Sequence, residues 1–167
     1  FHWATALSFL ALWITHESSQ LLDFHVFAGY LLFGLLVFRV IWGFLGTEYA
    51  KFKNFCYGGR SVYSYLSTLF SKEPQHFIGH NPAGSLAIWL LLLLGLIASV
   101  SGVMLLGAEE RHGLLVGWFS FQDSEIIREV HKIAANLMLL VIIVHISGVI
   151  IAGRLHHENL AKSMMTG

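Results

Sequence analysis

Three runs of mostly apolar residues, at 24–45, 84–106 and 130–152, are each long enough to cross the hydrocarbon of a bilayer, which takes about 20 residues of helix. Within a membrane the backbone must satisfy its own hydrogen bonds, so such runs fold as helices. A fourth run, 1–22, is apolar to Thr15 and turns polar at His16-Glu17-Ser18-Ser19-Gln20. The chain opens on Phe1 rather than methionine, so upstream residues are expected to be cut or unseen, and with them this run would also span. Composition agrees: 56% of the 167 residues are hydrophobic and 12% are charged, against about 25% charged in soluble domains. The expected fold is all-α, a single integral membrane four-helix bundle over 1–167.

Bulk features remove several function classes. Lys+Arg and Asp+Glu balance at ten each, so no net field points to nucleic acid. The single cysteine, Cys56, excludes an internal disulfide and the CxxCH attachment of a c-type haem. No cleavable signal peptide is evident. With the N-terminus placed in the cytoplasm, the inner side holds Arg39, Lys51, Lys53, Arg60, Lys72, Arg154 and Lys162, against Arg111, Arg128 and Lys132 outside. That bias favours both termini in the cytoplasm. The inner loop 46–83 is rich in aromatic residues and reads as a short helix in the membrane interface. The outer connection, with Trp118, Phe119 and Phe121 beside acidic residues, is the expected docking surface for a partner outside.

Ten histidines in so apolar a chain are the anomaly. His131 and His145 are fourteen residues apart in the last run, which on a helix is about 21 Å along the axis and within about 40° of one face. One imidazole then lies in each leaflet, and an ionisable group at that depth needs a partner. Imidazole is a common axial ligand of haem iron, so two such ligands on one helix predict two haems stacked across the membrane. Each needs a second ligand from another helix. His2 is level with His145, and His25 with His131. His16 also lies fourteen residues from His2, so the first run could supply both partners alone. Side-chain size favours His25, because a flat macrocycle needs small neighbours and Ala28-Gly29 follow it, as Ala134-Ala135 follow His131 and Gly148 follows His145.

Arg39 recurs fourteen residues beyond His25; a haem propionate would satisfy it, and snorkelling to the interface is the alternative. Met138, midway between His131 and His145, reads as filler between the two haems. His80 and Asn81 precede the third run near the level of His2 and His145, and Asn81-Pro82 is an ordinary helix start. His76, His112, His156 and His157 read as solvated loop residues.

Phe1-His2-Trp3, His25 with Ala28-Gly29, Arg39-Val40-Ile41-Trp42-Gly43-Phe44, His80-Asn81-Pro82 and the His131/His145 pair resemble prokaryotic cytochrome b561, and most closely its branch of b-type cytochrome subunits of nickel–iron hydrogenases. Glu158-Asn159-Leu160 and Met165-Thr166-Gly167 are similar to that family's tail. The resemblance implies a four-helix diheme cytochrome with two bis-His haem b groups, His2 paired with His145 and His25 with His131. It implies electron transfer across the bacterial inner membrane between a periplasmic redox partner and quinone, for which His80 and Asn81 are the candidate site, the helix start being the alternative reading. The chain is shorter than that branch in general, so a c-type cytochrome or another dehydrogenase stands beside a hydrogenase as the expected partner. Two rival readings remain: a passive haem-free membrane anchor, and a transporter using histidine for metal or protons. The latter expects more polar residues mid-span than are present.

Overall fold

A computed structural model of the chain describes residues 1–68, 81–111 and 113–155. Among these it is helical throughout, in the order α1 (His2–Thr15), α2 (Leu22–Leu45), α3 (Gly59–Thr68), α4 (Pro82–Ala108) and α5 (Ser124–Leu155), with short 3₁₀ turns at Ser19–Leu21, Glu48–Ala50 and Phe52–Asn54. Three helices, α2, α4 and α5, are long and apolar enough to cross a membrane. The expected first span of 1–22 is instead a 14-residue apolar helix. It stops where the polar run begins: the Ser18 amide turns back to the Thr15 carbonyl at 3.1 Å, and Ser18 itself is extended. The other spans extend past their expected limits, because Asn81 caps α4 two residues before Ala83 and α5 starts at Ser124 rather than 130.

The Asn81 side chain accepts the Gly84 amide at 2.7 Å, and Pro82 occupies the first turn without a missing donor. α4 and α5 make the most extensive contact, with α2 packed on α1 on one side and α4 on the other. Small or hydroxyl residues line these seams, among them buried Ala28, Ala98, Ser101 and Ala134, which lets the backbones approach closely. Large apolar side chains on the opposite faces, such as Phe27, Leu93, Ile133 and Val144, point outward. An apolar exterior this continuous suits lipid, not water.

The two ends of the bundle differ. At the hairpin end, α1 turns into α2 and residues 109–123 join α4 to α5; the Arg128 guanidinium donates to Glu109 at 2.5 Å across that junction. At the opposite end, called the α3 end here, the segment after α2 folds back as an aromatic plug. Phe52 and Phe55 are buried against Leu36 and Leu92, and Phe52 stacks on Trp89 of α4 at 4.5 Å. Gly43 makes this fold-back feasible, since a Cβ there would collide with the Phe52 ring.

Candidate functional site: two histidine pairs on one helix

α2 and α5 bring the rings of His25 and His131 together at the hairpin end, with centres 6.5 Å apart and planes at 66°. An imidazole nitrogen bonds a metal ion at about 2.0–2.1 Å and its ring centre lies about 1.1 Å further back, so two imidazoles trans on one ion have centres about 6.3 Å apart. The observed spacing fits that arrangement. Among the described residues no group of three or more His, Cys, Asp or Glu side chains converges. A metal ion between these rings would therefore take two protein ligands and need its remaining positions filled by a non-protein group.

Hydrogen bonds leave the appropriate nitrogen of each ring available. His131 Nδ1 donates to the Ala98 carbonyl at 2.8 Å, with the Ser101 hydroxyl at 3.2 Å. A carbonyl only accepts, so Nδ1 carries the proton and Nε2 keeps a lone pair. His25 Nδ1 lies 3.1 Å from Thr15 Oγ1. Partners of this kind fix the tautomer and orientation of metal-binding histidine.

A cleft of about 790 Å³ opens beside the two rings, bounded by Leu12, Gly29, Gly102, Ala135 and Met138. This is within the range of about 300–1,000 Å³ for cofactor sites. Gly102 faces His131 so closely that a Cβ would sit 3.2 Å from its Cε1. The Ser99 hydroxyl, also on the cleft wall, is buried and has no partner among the described residues. Spacing, tautomers, small walls and an unpartnered hydroxyl together fit a flat prosthetic group ligated from both faces. His16 is on the rim, but its ring stacks on Trp13 at 5.0 Å and donates to the Trp13 carbonyl. The imidazole opposite His131 is that of His25.

At the α3 end His2 and His145 are near enough to interact electrostatically. Among the described residues neither ring makes a hydrogen bond; His2 is exposed, its ring edge-on to Trp3, and His145 is half-buried. Arg39, from α2, lies over the rings of Phe52 at 5.0 Å and Phe55 at 5.7 Å. Its buried Nη1 has no hydrogen-bond partner among the described residues. The two cation–π contacts contribute about 0.5–2 kcal/mol each, but an unpaired buried donor costs about 1–3 kcal/mol, and more when charged. Met138 is buried midway along α5 between the two pairs, facing Gly95 of α4.

Of the remaining candidates, Asn81 has its side-chain oxygen committed to the α4 cap. His80, like His76, His112, His156, His157 and the tail motifs, lies outside the described residues. One turn beyond Asn81 a second cavity, about 280 Å³, is lined by Tyr57, Val62, Tyr63, Ser85, Leu86 and Trp89. Trp118 and Phe121 in the 109–123 connection are exposed.

Thr15, Ala98, Ser101 and Gly102 are absent from the residues singled out in the sequence. The small-residue rule used around His25 and His131 would have found Gly95 and Gly102, seven apart on one face of α4. Nothing in the sequence marks the Ala98 carbonyl.

Comparison with known proteins finds relatives of this chain. A relative in Rhizobium leguminosarum bv. viciae, named "Probable Ni/Fe-hydrogenase B-type cytochrome subunit", is 27% identical over 157 residues, covering 86% of this chain and 66% of its own length. A protein of the same name in Azotobacter vinelandii is 26% identical over 203 residues, covering 99% of this chain and 82% of its own. The chain thus spans about two thirds of the first relative's length. No solved structure matches it significantly. The profile of the family described as prokaryotic cytochrome b561 matches residues 1–167, and the chain belongs to that family.

Proposed function

We propose that this chain is a diheme b-type cytochrome that carries electrons across the bacterial inner membrane between a periplasmic redox partner and the quinone pool. The names of the relatives make a nickel–iron hydrogenase the favoured partner, ahead of another dehydrogenase or a c-type cytochrome. His25 and His131 hold one haem b and His2 and His145 the second, all through imidazole nitrogen. The observation that carries this reading is the His25–His131 pair, 6.5 Å between centres with Nδ1 of each ring engaged elsewhere. Bound there, haem supplies a one-electron couple whose iron is saturated by two imidazoles, suited to electron transfer rather than oxygen chemistry. The chain's own residues orient the rings, exclude water with the apolar walls of Leu12 and Met138, and fix which nitrogen is bare.

Arg39 supplies a cation for a haem carboxylate at the α3 end, supported by its unpartnered Nη1. Both termini face the cytoplasm by the charge bias, which puts the α3 end inside and the exposed Trp118 and Phe121 outside. Quinone is the membrane substrate. Its reduction is assigned to the α3 end, where the cavity one turn beyond Asn81 offers aromatic walls for a ring and the Tyr63 hydroxyl for one of its oxygens; His80 is the sequence's other candidate for that task.

A reduced-minus-oxidised spectrum with haem quantitation on the purified chain tests the reading. Near two non-covalent haems per chain is the expected result; an absence of haem would overturn it.

A further inference from the structure

The imidazoles at the hairpin end are held by acceptors of two kinds. His131 faces the Ala98 carbonyl, which admits only one tautomer. His25 faces a hydroxyl, which can donate as well as accept. The Leu12 carbonyl also acts on this ring, and whether Thr15 adds a second acceptor depends on its single hydroxyl proton. That proton is engaged by carbonyls of its own helix, Ala11 at 2.8 Å and Leu12 at 3.3 Å. Thr15 is 5% exposed, so water does not compete for it. The oxygen is left with lone pairs to offer, and His25 must place its proton on Nδ1 and present Nε2 bare.

We propose that Thr15 is a positioning residue of the hairpin-end site: its hydroxyl, locked by the α1 backbone, works with the Leu12 carbonyl to hold the tautomer of His25, and itself tunes the orientation of the ring and the strength with which Nε2 binds haem iron. The inference rests on the haem reading above. It assigns a task to the C-terminus of α1, which otherwise contributes only apolar walls to this cleft. An acceptor on Nδ1–H makes the imidazole a stronger donor, and a stronger donor favours ferric over ferrous iron. Thr15 therefore holds the midpoint potential of this haem down. Ser101 makes the corresponding contact to His131, beside the Ala98 carbonyl.

The test uses the full chain in detergent, titrated with haem b and then poised electrochemically. Thr15→Val removes the acceptor at nearly constant volume, and Thr15→Ser keeps it. With Thr15→Val, affinity at the hairpin-end site is expected to fall about 10- to 100-fold and one of the two redox transitions to move to higher potential. Thr15→Ser should leave both transitions in place. Should valine crowd α1, Thr15→Ala gives the same readout. Wild-type affinity and potentials in the valine and alanine variants would overturn the proposal. So would a serine variant as impaired as valine, which would make Thr15 a packing residue only. Wild-type chain that takes up no haem would instead defeat the underlying reading, so the two failures are distinguishable.

Discussion

His131 and His145 share one helix and one face, yet the structure treats the two ends of α5 differently. At the hairpin end α4 passes close enough for a backbone carbonyl and a hydroxyl to reach His131, and α1 delivers Thr15 to His25. At the α3 end the rings of His2 and His145 are near one another without such partners among the described residues, while the polar resource is a guanidinium parked on two phenylalanines. One site is preorganised in its ligands, the other in its counter-charge. Preorganisation lowers the ordering cost of binding, so the hairpin-end site should bind its cofactor more tightly.

The largest effect expected follows directly. His131→Ala and His145→Ala should each remove one of two haems, leaving about one per chain by pyridine haemochrome assay. The haem retained in His145→Ala, at the hairpin end, should bind at least about tenfold tighter than the one retained in His131→Ala, on the scale that outer partners of metal ligands contribute. The reverse order of affinities would break the comparison.

Two substitutions sharpen it from opposite sides. Gly102→Val drives a branched side chain into His131, where even a Cβ would stand 3.2 Å from the ring. Haem affinity at the hairpin end should drop about tenfold or more, with the α3-end spectrum unchanged. Arg39→Gln removes the charge at the other end and should weaken only the α3-end haem, severalfold and by less than Gly102→Val weakens its neighbour. Arg39→Lys should rescue it poorly, since lysine lacks the planar fork that pairs with a carboxylate while stacked on aromatic rings. Loss at both ends from either variant would mean that the sites are not separable.

Why one site was legible in the sequence and the other only in part comes down to which atoms do the holding. The apolar runs fix the helices, because length and hydropathy are properties of the chain alone. The fourteen-residue interval fixes a shared face on α5 by helical geometry. The end of α1 at Thr15 was visible in the polar run that follows, but the expected span ran on through it to 22. The partners of His131 were not visible: a backbone carbonyl has no letter in the sequence, and Ser101 looks like any hydroxyl in an apolar helix. Arg39 could be placed at the depth of His145, yet its seat on Phe52 and Phe55 depends on a fold-back through Gly43 that periodicity does not encode.

The smallest effect expected contrasts one carboxylate at each end. Asp123, just before α5, is held below the usual carboxylate range by the Ser120 hydroxyl at 2.7 Å and the Ser120 amide at 2.9 Å. Glu48, at the α3 end, is held low by Asn54 first and then by Lys53 at 3.3 Å, with Lys51 at 3.7 Å. Both are depressed in the folded state, so each contributes stability that is present above its unfolded pKa and is lost as pH falls through the folded value. Unfolding midpoints should therefore decline on acidification below the ordinary carboxylate range, and Asp123→Asn or Glu48→Gln should each flatten part of that decline. Salt separates the two. At 1 M the screening length is about 3 Å, which weakens the lysine attraction at Glu48 but not the neutral hydroxyl and amide donors at Asp123. The flattening caused by Glu48→Gln should shrink in high salt while that of Asp123→Asn persists; equal salt sensitivity would show that lysine charge is not what distinguishes the α3 end.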